Sequence, residues 1–244
     1  MYLSFLLIDV GDNPDRPRPG RLWLRNRYRV HQRLCMAFPS ADRKSDDADF
    51  LKPYDPKDFG SNQVHVARRT DTGFLFRIDP ITSGRVVILV QSAVKPDWHY
   101  AFHNADYLLA ATPDVKTFDP CFAKAEHFRF RLVANPTRKI DTKSRPDGQR
   151  RNGKRVPVQT DKLVEWLANR AESAGFSIDE GSTAIQPGYV YMNKTRDGKG
   201  QFLRAIRYDG TLSVIDPARF LEILIRGIGP AKAFGFGLLS LARA

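Results

Sequence analysis

The sequence predicts an α+β fold of two tandem ferredoxin-like domains, each built in the order strand–helix–hairpin–helix–strand. Three observations favour this fold. The 244 residues leave room for two domains of roughly 100–130 residues each. Hydrophobic residues make up 42% of the chain and charged residues 27%, a composition typical of folded domains. Both halves show the same order of patterns, and a boundary near Pro120 gives expected domains at 1–120 and 121–244.

The first half begins with an apolar stretch, Tyr2–Asp9, that predicts a buried strand. A helical pattern follows over Leu22–Phe38, and Pro39 is expected to end that helix. Further along, Gly73–Asp79 and Arg85–Gln91 predict the two strands of a hairpin. The last helix and the last strand of this half have weaker patterns.

The second half fits the same order more closely. His127–Ala134 alternates apolar and basic side chains, which predicts a strand with one apolar and one cationic face. Asp209-Gly210 is a strong signal for a tight turn between two strands. The other predicted elements are a helix at Asp161–Ala174, strands at Gly188–Met192, Phe202–Tyr208 and Thr211–Ile215, a helix capped by Asp216 with Pro217 at its first position, and a strand at Leu238–Ala242.

The charge balance indicates an anionic partner. Lys and Arg number 39 against 27 Asp and Glu, a net charge of +12. So basic a chain attracts nucleic acid first and an anionic membrane surface second, although a basic protein without such a partner is an alternative. No apolar run is long enough to span a bilayer. Two cysteines without metal-binding spacing indicate a reducing compartment, the cytoplasm, and argue against a disulfide framework.

The most basic segment is Arg138–Arg155, where eight basic and two acidic residues hold half of the net charge of the protein. Like charges at this density repel each other, so we expect the segment to be mobile without its partner. The hypothesis is an arm that binds nucleic-acid phosphates, and the alternative is a solvated linker. The polar insertion at Ala41–Asn62 has no assigned role.

A glycine-rich loop lies near the end of the chain, at Gly227–Gly237, with Lys232 inside it. Glycines at a helix–strand junction expose backbone N–H groups, which together with one cation suit a phosphate. The spacing is not that of a Walker loop. An ordinary turn is therefore the alternative interpretation.

Tyr28 and His31 lie one helical turn apart on a stripe with Leu24, Cys35 and Phe38. A histidine can move a proton near neutral pH, and a tyrosine can orient it or donate to a developing charge. Packing of the whole stripe against the core is the alternative. Arginines crowd the same helix, which favours an anionic ligand: Arg25, Arg27, Arg29 and Arg33.

Motifs of metal-dependent and serine hydrolases do not occur in the sequence. His99 and His103 have the spacing of a helical metal pair, but no third ligand follows in a recognisable pattern. We therefore predict no metal site.

Five motifs occur in a fixed order along nearly the whole chain. They are Met1-Tyr2-Leu3-Ser4, Tyr28-x-x-His31-Gln32 with Ala37-Phe38-Pro39, Phe130-Arg131-Leu132-Val133-Ala134-Asn135-Pro136-Thr137, Arg155-Val156-Pro157, and Gly227-Ile228-Gly229-Pro230-Ala231-Lys232 with Gly235-Phe236-Gly237-Leu238-Leu239-Ser240-Leu241. In this combination the chain resembles the CasE family, the repeat-processing endoribonucleases of type I-E CRISPR systems and subunits of the Cascade complex. The glycine-rich loop alone marks a wider group of CRISPR RNA-binding proteins.

The resemblance implies two RRM-like domains and a metal-independent endoribonuclease without a cofactor. It implies binding of the repeat stem-loop of precursor CRISPR RNA, cleavage at the 3′ base of the stem by 2′-OH attack, and retention of the mature crRNA with the other Cascade subunits. It places catalysis at His31 and Tyr28. The expected RNA-binding residues are Arg27, Arg129, Arg131, Arg138, Lys139, Arg150, Arg151, Lys154, Arg155, Gly227, Gly229, Lys232, Gly235 and Gly237.

Two rival functions stay open at this point. The first is a non-catalytic RNA-binding subunit of the same assembly, which would have no need of Tyr28 and His31 on an arginine-rich helix. The second is a basic protein that interacts with membranes or DNA. A membrane-binding helix would expose bulky apolar residues, whereas the apolar stripe of this helix is expected to face the core.

Overall fold

The computed structural model describes residues 1–13, 15–16, 18–38, 73–81, 84–140, 154–194 and 198–243. The predictions for the insertion at 41–62, for Pro39 and for the side chains of Arg150, Arg151 and Lys154 lie outside the described residues. Two antiparallel sheets form the frame, and each is covered by helices on one face.

The first sheet has the strand order β2-β3-β1-β4, which is the ferredoxin-like order. Its strands are β1 (Tyr2–Asp9), β2 (Phe74–Pro80), β3 (Arg85–Ser92) and β4 (Asp114–Thr117). Its helices are α1 (Pro19–Arg25), α2 (Arg27–Cys35) and the short α3 (Trp98–Phe102), which a 3-10 turn at Asp106–Leu108 follows. Alternate residues of β1, such as Leu6 and Ile8, are fully buried under Val30 and Leu34 of α2, as a strand with one covered face requires.

The predicted single helix over 22–38 is wrong, because the chain forms two helices that break at Asn26. The backbone of Asn26 is extended, with φ −106° and ψ 102°, and its side chain accepts a hydrogen bond from the backbone N–H of Tyr28. Asn26 is therefore the N-cap of α2. The apolar periodicity continues across this break, which is why it did not reveal the break.

The second sheet repeats the ferredoxin-like order as β11-β5-β10-β8, with β9 also paired to β10. Its elements are β5 (His127–Ala134), β8 (Phe176–Ile178), β9 (Ala184–Met192), β10 (Gln201–Val214) and β11 (Leu239–Arg243), with helices α4 (Leu163–Ser173) and α5 (Pro217–Arg226). Asp216 caps α5 as predicted, accepting from the N–H groups of Ala218 and Arg219. The two sheets confirm the tandem ferredoxin-like fold. The domain boundary near Pro120 stays a prediction.

The predicted hairpin turn at Asp209-Gly210 is wrong, because β10 runs straight through both residues. Asp209 lies opposite Arg131 of β5 in the ladder, and Gly210 lies opposite Phe130. The carboxylate of Asp209 accepts hydrogen bonds from Nε of Arg131 at 2.6 Å and Nε of Arg207 at 2.5 Å. Pairing with a central strand on one side and with β9 on the other therefore outweighs the local turn preference.

Part of the basic arm forms a two-stranded hairpin between β5 and α4. Strand β6 (Thr137–Ile140) pairs antiparallel with β7 (Lys154–Pro157). The expectation of a mobile segment over the whole of Arg138–Arg155 is therefore wrong at its two ends, where the backbone ladder holds the chain. The residues between the two strands lie outside the described ranges.

Polar side chains join the two halves of the molecule. Arg77 of β2 is 5% exposed, and its Nη1 donates to Oγ of Ser240 at 2.8 Å and to the backbone oxygen of Arg131 at 3.3 Å. Nε2 of Gln91 donates to the backbone oxygen of Leu224 at 2.8 Å. These donors of the first sheet thus bind acceptors on β5, β11 and α5. No helix in the described part of the chain is long and apolar enough to cross a membrane.

Gly227 lies in the apolar part of the same interface between the two halves, which we call the joint. It follows α5 with φ 74° and ψ 157°, a region that is essentially restricted to glycine. A Cβ atom at this position would lie 2.7 Å from a methyl carbon of Leu75, which packs with Leu89 and Leu238. Both the backbone and the space therefore require glycine.

We expect Gly227→Ala to lower the free energy of unfolding by about 2 kcal/mol, from backbone strain together with overpacking against Leu75. Gly188→Ala is the matched control, because a Cβ there would meet nothing closer than an atom at 3.8 Å and the backbone is unstrained. Denaturant unfolding of both variants measures the difference. Equal stabilities would contradict the role of Gly227 in the joint.

Candidate functional site

Helix α2 holds the two predicted catalytic residues beside the glycine-rich loop and β2. The ring of Tyr28 lies 6.5 Å from that of Phe234, which belongs to a 3-10 turn at Lys232–Phe234 inside the loop. The imidazole of His31 stacks on Phe74 at 5.5 Å and on Phe76 at 6.4 Å between ring centroids. The structure therefore brings Tyr28, His31 and the loop together. It also shows that one face of the His31 ring packs on aromatic side chains.

Cys35 lies one turn beyond His31 on the same helix, with its Sγ 3.6 Å from Nε2 of His31. Burial raises the pKa of the Cys35 thiol to about 12. The sulfur therefore stays protonated at neutral pH and contacts the imidazole as a neutral thiol. It neither competes with His31 for a proton nor adds a charge to the site.

Arg27 places a buried cation one turn before His31. Burial lowers the pKa of Arg27 to about 10, and the nearby charge of Asp79 opposes that change. The Nη1 atom of Arg27 is buried and has no hydrogen-bond partner among the described residues. A buried guanidinium nitrogen without an acceptor is costly, and an anionic phosphate oxygen is the kind of acceptor that it fits. Arg29, two residues on, is exposed and has no such environment.

The glycine-rich loop packs against Phe76, one of the two aromatic rings on which His31 stacks. Gly235 has φ 84°, and a Cβ atom there would lie 3.1 Å from the ring of Phe76. The N–H groups of Ile228 and Gly237 donate to backbone oxygens within the fold, so these two donors are not directed at a ligand. Of the predicted phosphate-binding glycines, Gly227, Gly235 and Gly237 thus have evident structural roles, whereas Gly229 lies over Trp166.

Lys232 is the cation of this loop, and it caps the end of α5. Its Nζ donates to the backbone oxygen of Arg226. Burial and the charge of Arg226 both lower the pKa of Lys232. Its ammonium group therefore lies at the end of α5, while its backbone belongs to the same turn as Phe234.

An amide clasp between Asn26 and Asn193 is a feature that the sequence reasoning missed. Nδ2 of Asn26 donates to the backbone oxygen of Asn193, and the backbone N–H of Asn193 donates to Oδ1 of Asn26, both at 3.0 Å. The clasp joins the start of α2 to the end of β9. It places Lys194 next to the site, with Nζ 5.9 Å from the centroid of Phe234.

The predicted residues of β5 lie on the outer face of the second sheet. Nε of Arg131 donates to Asp209, and Nε of Arg129 donates to the backbone oxygen of Arg243 at 3.2 Å. Both residues line a groove of about 640 Å³ that also contains Arg77. The negative charge of Asp79 raises the pKa of both Arg27 and Arg131, although burial lowers that of Arg27 overall.

The described residues of the arm are available to a ligand. Arg138, Lys139 and Arg155 are exposed on β6 and β7, and Nη1 of Arg155 donates to Oγ1 of Thr137 at 3.4 Å. The backbone oxygen of Thr137 also accepts a hydrogen bond from Nε1 of Trp166 in α4 at 3.4 Å. The base of the arm is thus fixed to the second domain.

Comparison with known proteins gives consistent matches over the whole chain. A family model described as CRISPR associated protein matches residues 1–243. The CRISPR-associated endoribonuclease Cse3 of Thermus thermophilus is 34% identical over 72% of this chain and 84% of its own length. The Cascade subunit CasE of Escherichia coli is 27% identical over 99% of both chains. A structure of Cse3 bound to a 19-nucleotide RNA superposes with a TM-score of 0.70, at 29% identity, covering 99% of this chain and 100% of that one.

The clasp can be tested apart from any activity. Asn26→Ser keeps a side-chain oxygen for the N-cap but is too short to reach Asn193, so we expect a loss of about 1–2 kcal/mol of stability and faster amide exchange at Asn193. Asp216→Ser is the matched control, since that side chain makes cap and local contacts on α5 only. Unchanged amide exchange at Asn193 would show that the clasp does not hold β9 to α2.

Proposed function

The chain belongs to the CRISPR-associated protein family that includes Cse3 and CasE, and on that premise we propose that Tyr28 and His31 form the active site of a CRISPR RNA endoribonuclease. The protein binds the repeat stem-loop of precursor CRISPR RNA and cleaves it. It then keeps the mature crRNA as a subunit of Cascade. The assignment of the site rests on one observation. Tyr28, His31 and the buried Arg27 lie together on α2, in a member of an RNA-cleaving family.

The proposed reaction is a transesterification at the 3′ base of the stem. The ribose 2′-oxygen forms a bond to the adjacent phosphorus, the bond from phosphorus to the 5′-oxygen breaks, and a 2′,3′-cyclic phosphate and a 5′-OH result. One group must take the proton of the 2′-OH and another must supply a proton to the leaving oxygen. His31 takes one of these two roles, and Tyr28 takes the other or orients the 2′-OH.

Cations around the phosphate stabilise the charge that develops in the transition state. Arg27 is the first candidate, because its buried Nη1 has no partner among the described residues. Lys194 lies beside Phe234 and so near Tyr28, and Lys232 belongs to the same loop. A buried cation gains more from a phosphate than an exposed one, since water screens it less.

RNA binding is assigned mainly to the basic arm. Exposed Arg138, Lys139 and Arg155 lie on a fixed hairpin, and Arg150 and Arg151 belong to the same segment of the sequence. A stem of RNA presents phosphates and shape more than base edges, so a cationic hairpin suits it. We assign a smaller part of the RNA binding to Arg129 and Arg131, because Arg131 is already paired with Asp209.

The packing of His31 favours one second candidate, a non-catalytic RNA-binding subunit. The stacking of the imidazole on Phe74 and Phe76 is what a purely structural histidine would also show. We place both candidates in the cytoplasm, where Cys35 and Cys121, which are free thiols in the structure, would remain reduced.

His31→Ala should lower the cleavage rate by about 10²–10⁴-fold, because a proton-transfer group is lost. His31→Gln, which retains more of the contact with Phe74, should be similarly inactive. The affinity for a repeat stem-loop should change little in either variant. Cleavage assays in excess EDTA with analysis of the product ends measure both the metal requirement and the 5′-OH. Full activity of His31→Ala, or 5′-phosphate ends, would contradict the proposal.

Replacing both Arg138 and Lys139 by Gln should weaken binding of the stem-loop and lower the slope of log K against log salt by about 2, one for each lost phosphate contact. The same is expected for Arg150 and Arg151. Lys95→Gln with Lys124→Gln is the control, since both residues are exposed cations outside the arm. An equal change of slope in the control pair would mean that net charge, not the arm, sets the salt dependence.

A further inference from the structure

Three aromatic side chains form an exposed surface on β9 and β10. Tyr189 is 74% exposed and Phe202 is 71% exposed, more than any other large apolar side chain among the described residues. The third, Tyr191, is half-buried beside Phe202, with 5.3 Å between the ring centroids. We name Tyr189, Tyr191 and Phe202 the aromatic surface. Exposing so much aromatic area to water is unfavourable and is typical of a binding site.

The sheet register places the three rings on one face. Tyr191 lies directly opposite Phe202, and Tyr189 lies opposite Arg204. Side chains at alternate positions of a strand point the same way, so all four residues share that face. Gly200 makes room for the Tyr191 ring, because a Cβ atom there would collide with it. The position of this ring is therefore built into the hairpin.

The aromatic surface lies between the base of the basic arm and the clasp at the catalytic helix. On one side, Arg204 donates to the backbone oxygen of Val158 at 2.6 Å and to Oγ1 of Thr160 at 2.8 Å, directly after β7. On the other side, β9 leads from Tyr191 to Asn193, which is held by Asn26. Two strand residues span about 7 Å, so the surface borders the end of the hairpin that reaches α2.

The charges around the surface indicate an anionic partner. The described residues 184–194 and 198–208 contain no Asp or Glu. Arg204 shares the face of the three rings, and Lys199 is exposed three residues before Phe202, whereas Arg207 is paired with Asp209. Aromatic rings beside cations are the usual platform for unpaired bases, since every base offers a face for stacking and its phosphate attracts the cation. A duplex interior offers no such face, because its bases already stack on each other.

We propose that the aromatic surface stacks unpaired bases of the repeat RNA that flank the base of its stem. This inference rests on the proposed function. The arm binds the stem, the surface binds the flanking strand, and the clasp joins the end of the strand that carries the surface to the start of α2. The flanking nucleotides thus help to place the scissile phosphate.

The test compares two RNAs that carry a 2′-deoxy substitution at the scissile position, so that binding is measured without cleavage. One has single-stranded flanks and the other is the stem-loop alone. Tyr189→Leu and Phe202→Leu should each weaken binding of the flanked RNA by roughly 5- to 50-fold, the loss expected for one stacked base, and should leave binding of the bare stem-loop unchanged. Tyr107→Leu is the matched control, since Tyr107 is 62% exposed on the first domain.

A base analogue that fluoresces when unstacked can be placed in the flank. Its fluorescence should be quenched when wild type binds, and it should be brighter in the complex with Tyr189→Leu than in the wild-type complex. Equal losses for both RNAs, or no loss for either, would overturn the inference while leaving the nuclease proposal intact. In the second case the surface would serve a protein partner instead. Failure of wild type to bind the bare stem-loop would overturn the proposed function itself and this inference with it.

Discussion

The arrangement of the two domains depends on the hydrogen bonds that the buried guanidinium of Arg77 makes between them. Arg77 lies on β2 of the first sheet, pairs with Asp79 at 2.8 Å, and donates across the joint to Ser240 and to the backbone of Arg131. A buried cation is tolerated only when its donors are satisfied, so the second domain must supply these acceptors. Helix α2, which carries Tyr28 and His31, belongs to the first domain and the glycine-rich loop to the second. Their contact therefore follows from the same joint.

Local patterns predicted much of this fold, because many of its elements are determined locally. The apolar stretch of β1, the alternation of β5 and the Asp216-Pro217 start of α5 are signals within a few residues, and the structure contains all three. Asp209-Gly210 shows the limit of such signals. Its turn preference is real, but two neighbouring strands and the Arg131 pair hold it in a straight strand.

The candidate site was predictable in its residue types and not in its environment. Tyr28 and His31 could be identified from helical spacing and from the family resemblance. Arg27 is one of several arginines on that helix, and only packing shows that its Nη1 is buried without a partner among the described residues, whereas the buried Arg33 donates to the backbone oxygen of Ala101. The Asn26–Asn193 clasp joins positions 167 residues apart, which no sequence window contains. The aromatic surface depends equally on a register between two strands.

Packing and catalysis by His31 are compatible, because each uses a different part of the ring. Stacking on Phe74 and Phe76 occupies a face of the imidazole, whereas proton transfer uses nitrogen atoms at its edge. In helix α2, Arg27, His31 and Cys35 follow a spacing of four, and Tyr28 is offset from His31 by about 60° around the axis. His31 thus lies against β2, while Tyr28 points to the loop. Attack and departure occur on opposite sides of a phosphorus atom, so two groups that reach it from different directions can serve the two proton transfers.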